Sequence, residues 1–375
     1  MTKKILITGG HFTPALSVIE QLQKYKQWKI YFVGRISALE GDKKLSVEYR
    51  KIKELNIPFF ELSTGRFTRS FSLNTFISWL KIPYGLISAF FIVSKVKPDI
   101  ILSFGGYIAL PVALAGFLLN IPIVTHEQTT VMGLANKIIA KTAKKVLLAW
   151  TDTIGTQTFS DKIEIVGNPV RRELFEPEKS SFENSHYQKP LIYITGGSTG
   201  SHSINKLVTA ILPWLLKKYT IVHQTGENSL YQDYKLSRML KSKLKKELAD
   251  RYHPYPTLSG NDVGWLLSHT DLMIGRSGAN TVYELLFFGT PSLLIPLPWS
   301  GGNEQYHNAK FLEKNGNGYV LEQKNVTPEI LLKEIESNIG KKRKVKYKPV
   351  TDAEKRIVNI LNMVVKLKGE TYQKV

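Results

Sequence analysis

An α/β protein of two doubly wound domains is the fold class this sequence predicts, and three observations predict it. Short apolar runs ending in glycine or a polar turn alternate with longer segments of helical period, the pattern of a parallel sheet wrapped by helices. The alternation comes in two series with a polar stretch between them. Each series opens on a strand running into a glycine-rich turn, ITGGH at Ile7 to His11 and ITGGSTGS at Ile194 to Ser201, a weak internal echo of two similar domains. A chain of 375 residues is also long for one domain and suits two, each able to bury its own core.

The strands of the first series are Lys4 to Thr8, Lys29 to Val33, Pro58 to Leu62, Asp99 to Phe104, Pro122 to His126 and Lys145 to Ala149. The second has Leu191 to Thr195, Thr220 to Gln224, Asp271 to Gly275 and Ser292 to Pro296. Domains are therefore expected at 1–166 and 190–350, with a hinge and linker at 167–189 around Gly167-Asn168-Pro169-Val170-Arg171 and the polar stretch Glu176 to Lys189. Doubly wound sheets bind ligands at the carboxyl ends of their strands, and two such domains are expected to face each other across a cleft.

Hydrophobic residues make up 43% and charged residues 22%, which suits a folded globular protein and argues against disorder. Lys and Arg number 51 against 31 Asp and Glu, a formal charge of +20, so polyanions or anionic membranes are the expected partners. The basic runs Lys235 to Lys246 and Lys341 to Lys348 carry no RNA-binding aromatic signature and no zinc spacing, which points away from nucleic acid and leaves a solvated helix face and a basic linker as the plain reading. There is no cysteine, so disulfides, thiolate chemistry and cysteine-held metals are excluded. MTKKILITGG at the amino terminus lacks the apolar stretch and cleavage site of a signal peptide, and a cytoplasmic location is expected.

Phe67 to Val96 is rich in Phe, Ile and Leu and is interrupted by Lys81 and Pro83; its longest uncharged run, Ile82 to Ser94, has 13 residues, short of the roughly 20 that span a bilayer. It reads either as a pair of buried helices or as a membrane-interface segment with Arg66, Arg69, Lys81 and Lys95 at headgroups. Ile100 to Thr125 is also uncharged, but Gly105-Gly106, Pro111 and Pro122 divide it into strand, helix and strand.

Three strand-to-helix turns of the second series carry the chemistry. Thr195 to Ser201 exposes glycine amides beside a helix start, a site for a diphosphate or simply a tight turn; no Gly-Lys-Ser/Thr ends it, so it is not a P-loop. Pro213 interrupts the helical pattern that follows. Within Gly275 to Glu284, Thr281 and Glu284 have the spacing of a capping box, or Glu284 accepts two hydrogen bonds from a ribose diol. Gln305 and Asn308, three apart on the next helix, can read sugar hydroxyls or are merely surface polar residues.

In the first series, Gly9-Gly10-His11 puts an imidazole at a strand end, where it can take a proton from an attacking hydroxyl or merely cap the helix. Phe104-Gly105-Gly106-Tyr107 and His126-Glu127-Gln128 lie at other strand ends, and His126 can serve the acceptor rather than act as the base. No Asp-x-Asp occurs in the chain, so no carboxylate pair of that kind holds a metal on a sugar nucleotide; helix dipoles, amides and Arg171 are left to offset the leaving group's charge.

With Gly-Gly-His at 9–11, Phe-Gly-Gly-Tyr at 104–107, His-Glu-Gln at 126–128, Gly-Asn-Pro-Val-Arg at 167–171, Gly-Gly-Ser at 196–198, Arg-Ser-Gly-Ala at 276–279, Glu284 and Gln-x-x-Asn-Ala at 305–309, the chain resembles the MurG family. The motifs come in family order and span residues 5 to about 320. The resemblance implies the GT-B fold, two Rossmann-like domains, and inverting transfer of GlcNAc from UDP-GlcNAc to undecaprenyl-diphosphate-linked muramyl-pentapeptide at the cytoplasmic face of the membrane. No metal or other cofactor is implied, and the partners are UDP-GlcNAc, a polyprenyl-diphosphate-linked sugar and the anionic membrane surface.

The resemblance further implies that His11 is catalytic. The implied UDP-GlcNAc set is Thr8, Gly9, Gly10, Thr129, Arg171, Ser198, Ala279, Asn280, Thr281, Glu284, Gln305 and Asn308, and the acceptor set is Gly105, Gly106, Tyr107, His126, Glu127 and Gln128. It also implies a membrane-facing role for Phe67 to Val96 and a helix within 351–375 that returns to the first domain.

The chain departs from the family pattern in three places. Only one glycine pair precedes His11, Thr129 stands where the family has Asn, and the loop Trp299 to Asn303 lacks the usual acidic residue near Gln305, Glu304 aside. These departures bear on the acceptor more than on the transferase class. They keep open another glycolipid glycosyltransferase, such as one acting on diacylglycerol, and a non-catalytic UDP-sugar-binding membrane protein; a UDP-sugar epimerase would not need the apolar basic segment.

Overall fold

The computed structural model describes all residues except 1, 38–44, 66–72, 171, 176–179, 184–186, 188–189, 198, 229, 342–343 and 367–375, and the side chains of 73–80 and 172. Arg66, Arg69, Arg171 and Ser198 lie outside the described residues, as do parts of the polar stretch 176–189 and of the basic run 341–348.

The chain forms two compact units, residues 1–170 with 350–375, and residues 171–349. The first contains β1 (Lys3–Thr8), α1 (Phe12–Gln23), β2 (Trp28–Gly34), α2 (Val47–Glu54), β3 (Phe59–Glu61), α3 (Leu73–Val96), β4 (Ile100–Ser103), α4 (Gly106–Leu118), β5 (Ile123–Glu127), α5 (Leu134–Thr142), β6 (Lys145–Leu148) and β7 (Ile163–Ile165). The second contains α6 (Arg172–Phe175), β8 (Leu191–Thr195), α7 (His202–Lys218), β9 (Thr220–Gln224), α8 (Asp233–Lys243), α9 (Lys246–Ala249), β10 (Tyr252–Tyr255), α10 (Gly260–His269), β11 (Leu272–Gly275), α11 (Ala279–Phe288), β12 (Ser292–Leu294), α12 (Glu304–Asn315), β13 (Gly318–Val320) and α13 (Pro328–Asn338). The last helix, α14 (Ala353–Lys366), belongs to the first unit.

Both sheets are parallel, in the orders β3-β2-β1-β4-β5-β6-β7 and β10-β9-β8-β11-β12-β13. Strand order reverses beside the first strand of each unit, so the switch points lie between β1 and β4 and between β8 and β11, where such sheets bind ligands. The central strands β4, β5 and β8 are buried along their whole length, as a sheet covered on both faces requires.

Helix α14 completes the core of the first unit. Its Ile357 and Leu361 are fully buried in one cluster with Val18 and Leu22 of α1 and with Ile5 and Ile7 of β1; each such side chain contributes about 1.5–3 kcal/mol. In the second unit Val208 and Leu212 of α7 pack on Ile192 and Ile194 of β8 and on Ile274 of β11.

The structure corrects several expectations. Pro83 does not divide its segment into two helices: α3 is continuous over 24 residues with Pro83 inside. A proline costs a helix one hydrogen bond and a carbonyl clash, and here the buried face, Ala89, Val93 and Val96 against Ala109, Val112 and Ala113, holds the helix together. Pro213 likewise lies inside an unbroken α7. The capping box at Thr281 and Glu284 is also overturned, because α11 starts earlier, with Gly278 as its N-cap and no side-chain cap bond. Three further strands, β7, β10 and β13, form sheet edges that the apolar pattern did not reveal. Among the described residues no helix is long and apolar enough to cross a membrane.

Candidate active site

In the second unit the turn after β8 delivers the chain to the start of α7. The Gly197 amide donates to Thr195 Oγ1 at 3.0 Å and the Gly200 amide to the Gly197 carbonyl at 3.0 Å, closing the turn. Gly200 has φ +74°, and a Cβ there would strike the Thr225 carbonyl, so only glycine suits the position. The N-cap of α7 is Ser201, whose side chain makes no cap bond. Its hydroxyl instead accepts from Arg276 Nη2 at 2.9 Å, so Ser201 does not cap the opening amides of this 17-residue helix.

The turn after β11 carries Arg276 and Ser277, both buried, and leads through Gly278 into α11. Ala279, Asn280 and Thr281 occupy its first turn, half-buried, and Glu284 is buried one turn further on. Helix α12 is tied to the same edge: Ser277 Oγ donates to the Gln305 carbonyl at 2.7 Å and Asn308 Nδ2 to the Ser277 carbonyl at 3.3 Å. Gln305 lies at the surface of this group, its Oε1 accepting from the Leu297 amide at 3.0 Å, whereas Asn308 is fully buried behind it. The two therefore differ in what they can offer a ligand. A cavity of about 270 Å³ opens nearby, lined by Pro296, Asn303, Tyr306, Glu322 and Gln323 among others.

In the first unit the loops after β1 and β4 meet backbone to backbone. The Gly10 amide donates to the Gly105 carbonyl at 2.9 Å and the Phe104 amide to the Thr8 carbonyl at 2.8 Å. Gly9, at φ +157°, has no room for a Cβ against Phe104. The two glycine pairs thus bring Thr8, Gly9 and Gly10 beside Gly105, Gly106 and Tyr107.

His11 is the N-cap residue of α1, but its imidazole makes no cap bond. Burial lowers its pKa below the ordinary 6.5, against the pull of the Glu127 charge. His126 is fully buried, with Nε2 2.9 Å from the Gly167 carbonyl; burial lowers its pKa to about 4, with the Gly167 hydrogen bond and Glu127 acting the other way. At neutral pH the ring is uncharged, Nε2–H donates to Gly167, and Nδ1, which has no partner among the described residues, presents a lone pair.

Glu127 organises the loop that follows β5. Its Oε1 accepts from the Thr129 amide at 3.0 Å and lies 2.8 Å from the Thr129 hydroxyl, while Oε2 accepts from the Gly133 amide at 2.9 Å and Asn136 Nδ2 at 2.9 Å. Thr129 is buried, its hydroxyl also 2.6 Å from the Val131 carbonyl, so this side chain is committed to the loop. Gln128 is buried beside it, with Oε1 unpaired among the described residues and its carbonyl accepting from Trp150 Nε1 at 2.8 Å. Asn136, which the sequence did not single out, also donates to the His126 carbonyl at 3.1 Å and accepts from Thr125 Oγ1 at 2.8 Å. Its isolated place in a helical segment carries no sequence signal.

An apolar groove of about 450 Å³ begins at Tyr107 and continues between α3, α4 and α5, lined by Ile82, Leu86, Leu110, Leu114 and Leu134. The same helices expose Tyr84, Ile87, Phe91, Phe117 and Leu118, an apolar surface larger than scattered exposed residues would make.

The sequence of this chain matches two family models, the glycosyltransferase family 28 N-terminal domain over residues 8–148 and its C-terminal domain over residues 191–362. It is 34% identical over 335 residues, 87% of this chain and 84% of the relative, to the UDP-N-acetylglucosamine--N-acetylmuramyl-(pentapeptide) pyrophosphoryl-undecaprenol N-acetylglucosamine transferase of Treponema denticola. The chain belongs to the MurG family. A second member, from Clostridium kluyveri and of the same name, is 31% identical over 96% of this chain and 99% of its own length. The crystal structure of MurG from Acinetobacter baumannii superimposes with a TM-score of 0.68 at 25% identity, covering 96% of this chain and 99% of that one. A UDP-GlcNAc 2-epimerase from Neisseria meningitidis, 17% identical with a TM-score of 0.65, shares the fold alone. MurG membership makes the chain a glycosyltransferase of α/β fold with two domains.

Proposed function

We propose that this enzyme transfers GlcNAc from UDP-GlcNAc to the muramyl sugar of undecaprenyl-diphosphate-linked muramyl-pentapeptide, with inversion and without a metal ion, at the cytoplasmic face of the membrane. The names of its relatives supply the substrates. The observation that carries the chemistry is His11: an imidazole at the carboxyl end of β1, not spent on capping α1, with its pKa lowered so that it is a base at neutral pH. The acceptor hydroxyl attacks the anomeric carbon, His11 takes its proton, and the bond to the UDP oxygen breaks as UDP leaves with the electron pair. In this reading Ala279, Asn280, Thr281 and Glu284 at the start of α11 hold the nucleoside, and Gln305 the sugar. The opening amides of α7 offset the charge on UDP.

The groove that starts at Tyr107 gives a polyprenyl chain an apolar bed beside the glycine turns. Exposed Tyr84, Ile87 and Phe91, with Lys95 and Lys97 exposed on and just after the same helix, suit an anionic bilayer surface. The test is product formation from radiolabelled UDP-GlcNAc with a panel of lipid acceptors, with and without EDTA. Product with the polyprenyl-diphosphate muramyl acceptor in EDTA is expected; product only with diacylglycerol, or only with added metal, would overturn the corresponding part.

A further inference from the structure

Arg276 is a buried cation that no carboxylate balances among the described residues. It follows β11 directly, is 8% exposed, and its hydrogen bonds go to neutral oxygens. Nη1 donates to the Ile295 carbonyl at 2.8 Å, and Nη2 lies 2.9 Å from Ser201 Oγ, 2.7 Å from Ser203 Oγ and 2.7 Å from Gln323 Oε1. Taking a guanidinium out of water costs several kcal/mol unless an anion balances it. Burial lowers its pKa only to about 10, so the charge persists at neutral pH.

The same contacts indicate where an anion would sit. Ser201 and Ser203 belong to the first turn of α7, and Ser201 occupies the position from which a hydroxyl ordinarily accepts from the helix amides; Arg276 holds it instead. Gln323, the fourth acceptor, also lines the cavity of about 270 Å³ on this edge. A helix start carries roughly half a positive charge, and the guanidinium adds a whole one behind it.

Given the reading of the second unit as the UDP-sugar unit, on which this rests, we propose that Arg276 is a positioning residue for the donor diphosphate. It keeps the Ser201 and Ser203 hydroxyls off the opening amides of α7 and sets its own charge behind them, so that a diphosphate on the turn meets both. It acts through the turn.

Equilibrium binding of UDP and of uridine to the full-length wild type, Arg276→Gln and Arg276→Lys tests this. Gln keeps hydrogen-bond donors without charge, and Lys keeps charge without the fork. We expect Arg276→Gln to bind UDP at least tenfold more weakly and uridine within twofold of wild type, and Arg276→Lys to bind UDP within about threefold. Equal loss of UDP and uridine would show a merely structural role, and wild-type UDP affinity in Arg276→Gln no role; either overturns the proposal. If Arg276→Gln does not fold, Arg276→Lys decides: an equal loss of UDP and uridine there means a merely structural role and overturns it, whereas UDP within about threefold and uridine unchanged supports it. A wild type that binds uridine and UDP equally removes the proposal alone, whereas one that binds neither removes the UDP-sugar reading with it.

Discussion

His126 reaches across its sheet to the carbonyl of Gly167, 2.9 Å from Nε2, and so joins the end of β5 to the segment that follows β7. Its pKa is lowered to about 4 by burial, as is that of His223 in the second unit, which hydrogen-bonds Asn205 at 3.0 Å and Tyr252 at 3.1 Å. For both rings the unfolded chain takes up a proton near pH 6.5 and the folded chain does not, so stability is fully present above that pH and falls between it and about 4. Urea denaturation followed by fluorescence should give lower midpoints at pH 4.5 than at pH 7, and His223→Gln should lessen the difference. An unchanged difference in that variant would show that His223 is not buried neutral.

The acid limb of kcat/KM should lie below pH 6.5, because the pKa of His11 is lowered. The charge of Glu127 raises that pKa, so Glu127→Gln should move the limb further to acid. His11→Ala should cut kcat at least a hundredfold with UDP affinity unchanged; a rate within threefold of wild type would remove it as the base.

Asn136→Ala removes bonds to Thr125, His126 and Glu127 at once. A loss of about 2–3 kcal/mol is expected, since three buried hydrogen bonds, each worth about 0.5–1.5 kcal/mol, are lost together. Thermal unfolding measures it, and a change under about 0.5 kcal/mol, the range of ordinary surface substitutions, would show that these bonds do not hold the loop after β5.

Gly200→Ala and Gly278→Ala form a matched pair. The first places a Cβ against the Thr225 carbonyl at positive φ, and the second meets nothing within 4 Å at φ −60°. The first should cost about 2–3 kcal/mol and weaken UDP binding, the second about 0.5–1 kcal/mol, because Ala caps a helix less well than Gly. Equal melting temperatures for the two would refute this account of the turn.

Ile87→Gln with Phe91→Gln should lower cosedimentation with phosphatidylglycerol vesicles several-fold while leaving the melting temperature within a degree or two, because both side chains are largely exposed. Retained vesicle binding would place the membrane contact elsewhere.

The sequence showed the interior strands because they are buried on both faces and read as continuous apolar runs, as IILS in β4 does. It did not show β7, β10 or β13, which have three or four residues each, carry half-buried positions and lie at sheet edges. Glycine turns were legible because a backbone that must pass another closely, as Gly9 passes Phe104, leaves only one residue type. What Asn308 and Thr129 do was not legible: whether an amide or hydroxyl meets a ligand or a neighbouring carbonyl depends on packing, which spacing does not encode. The family resemblance named Arg276 within a motif, but its work on Ser201 appears only when β11 and α7 are set side by side.

Helix α14 has a consequence for biosynthesis. The apolar layer between β1 and α1 waits for Ile357 and Leu361, which leave the ribosome only after the whole of residues 171–349. The unit translated first is therefore the unit finished last, and a chain released before Ala353 would hold the whole sequence of the second unit and an open-sided first one.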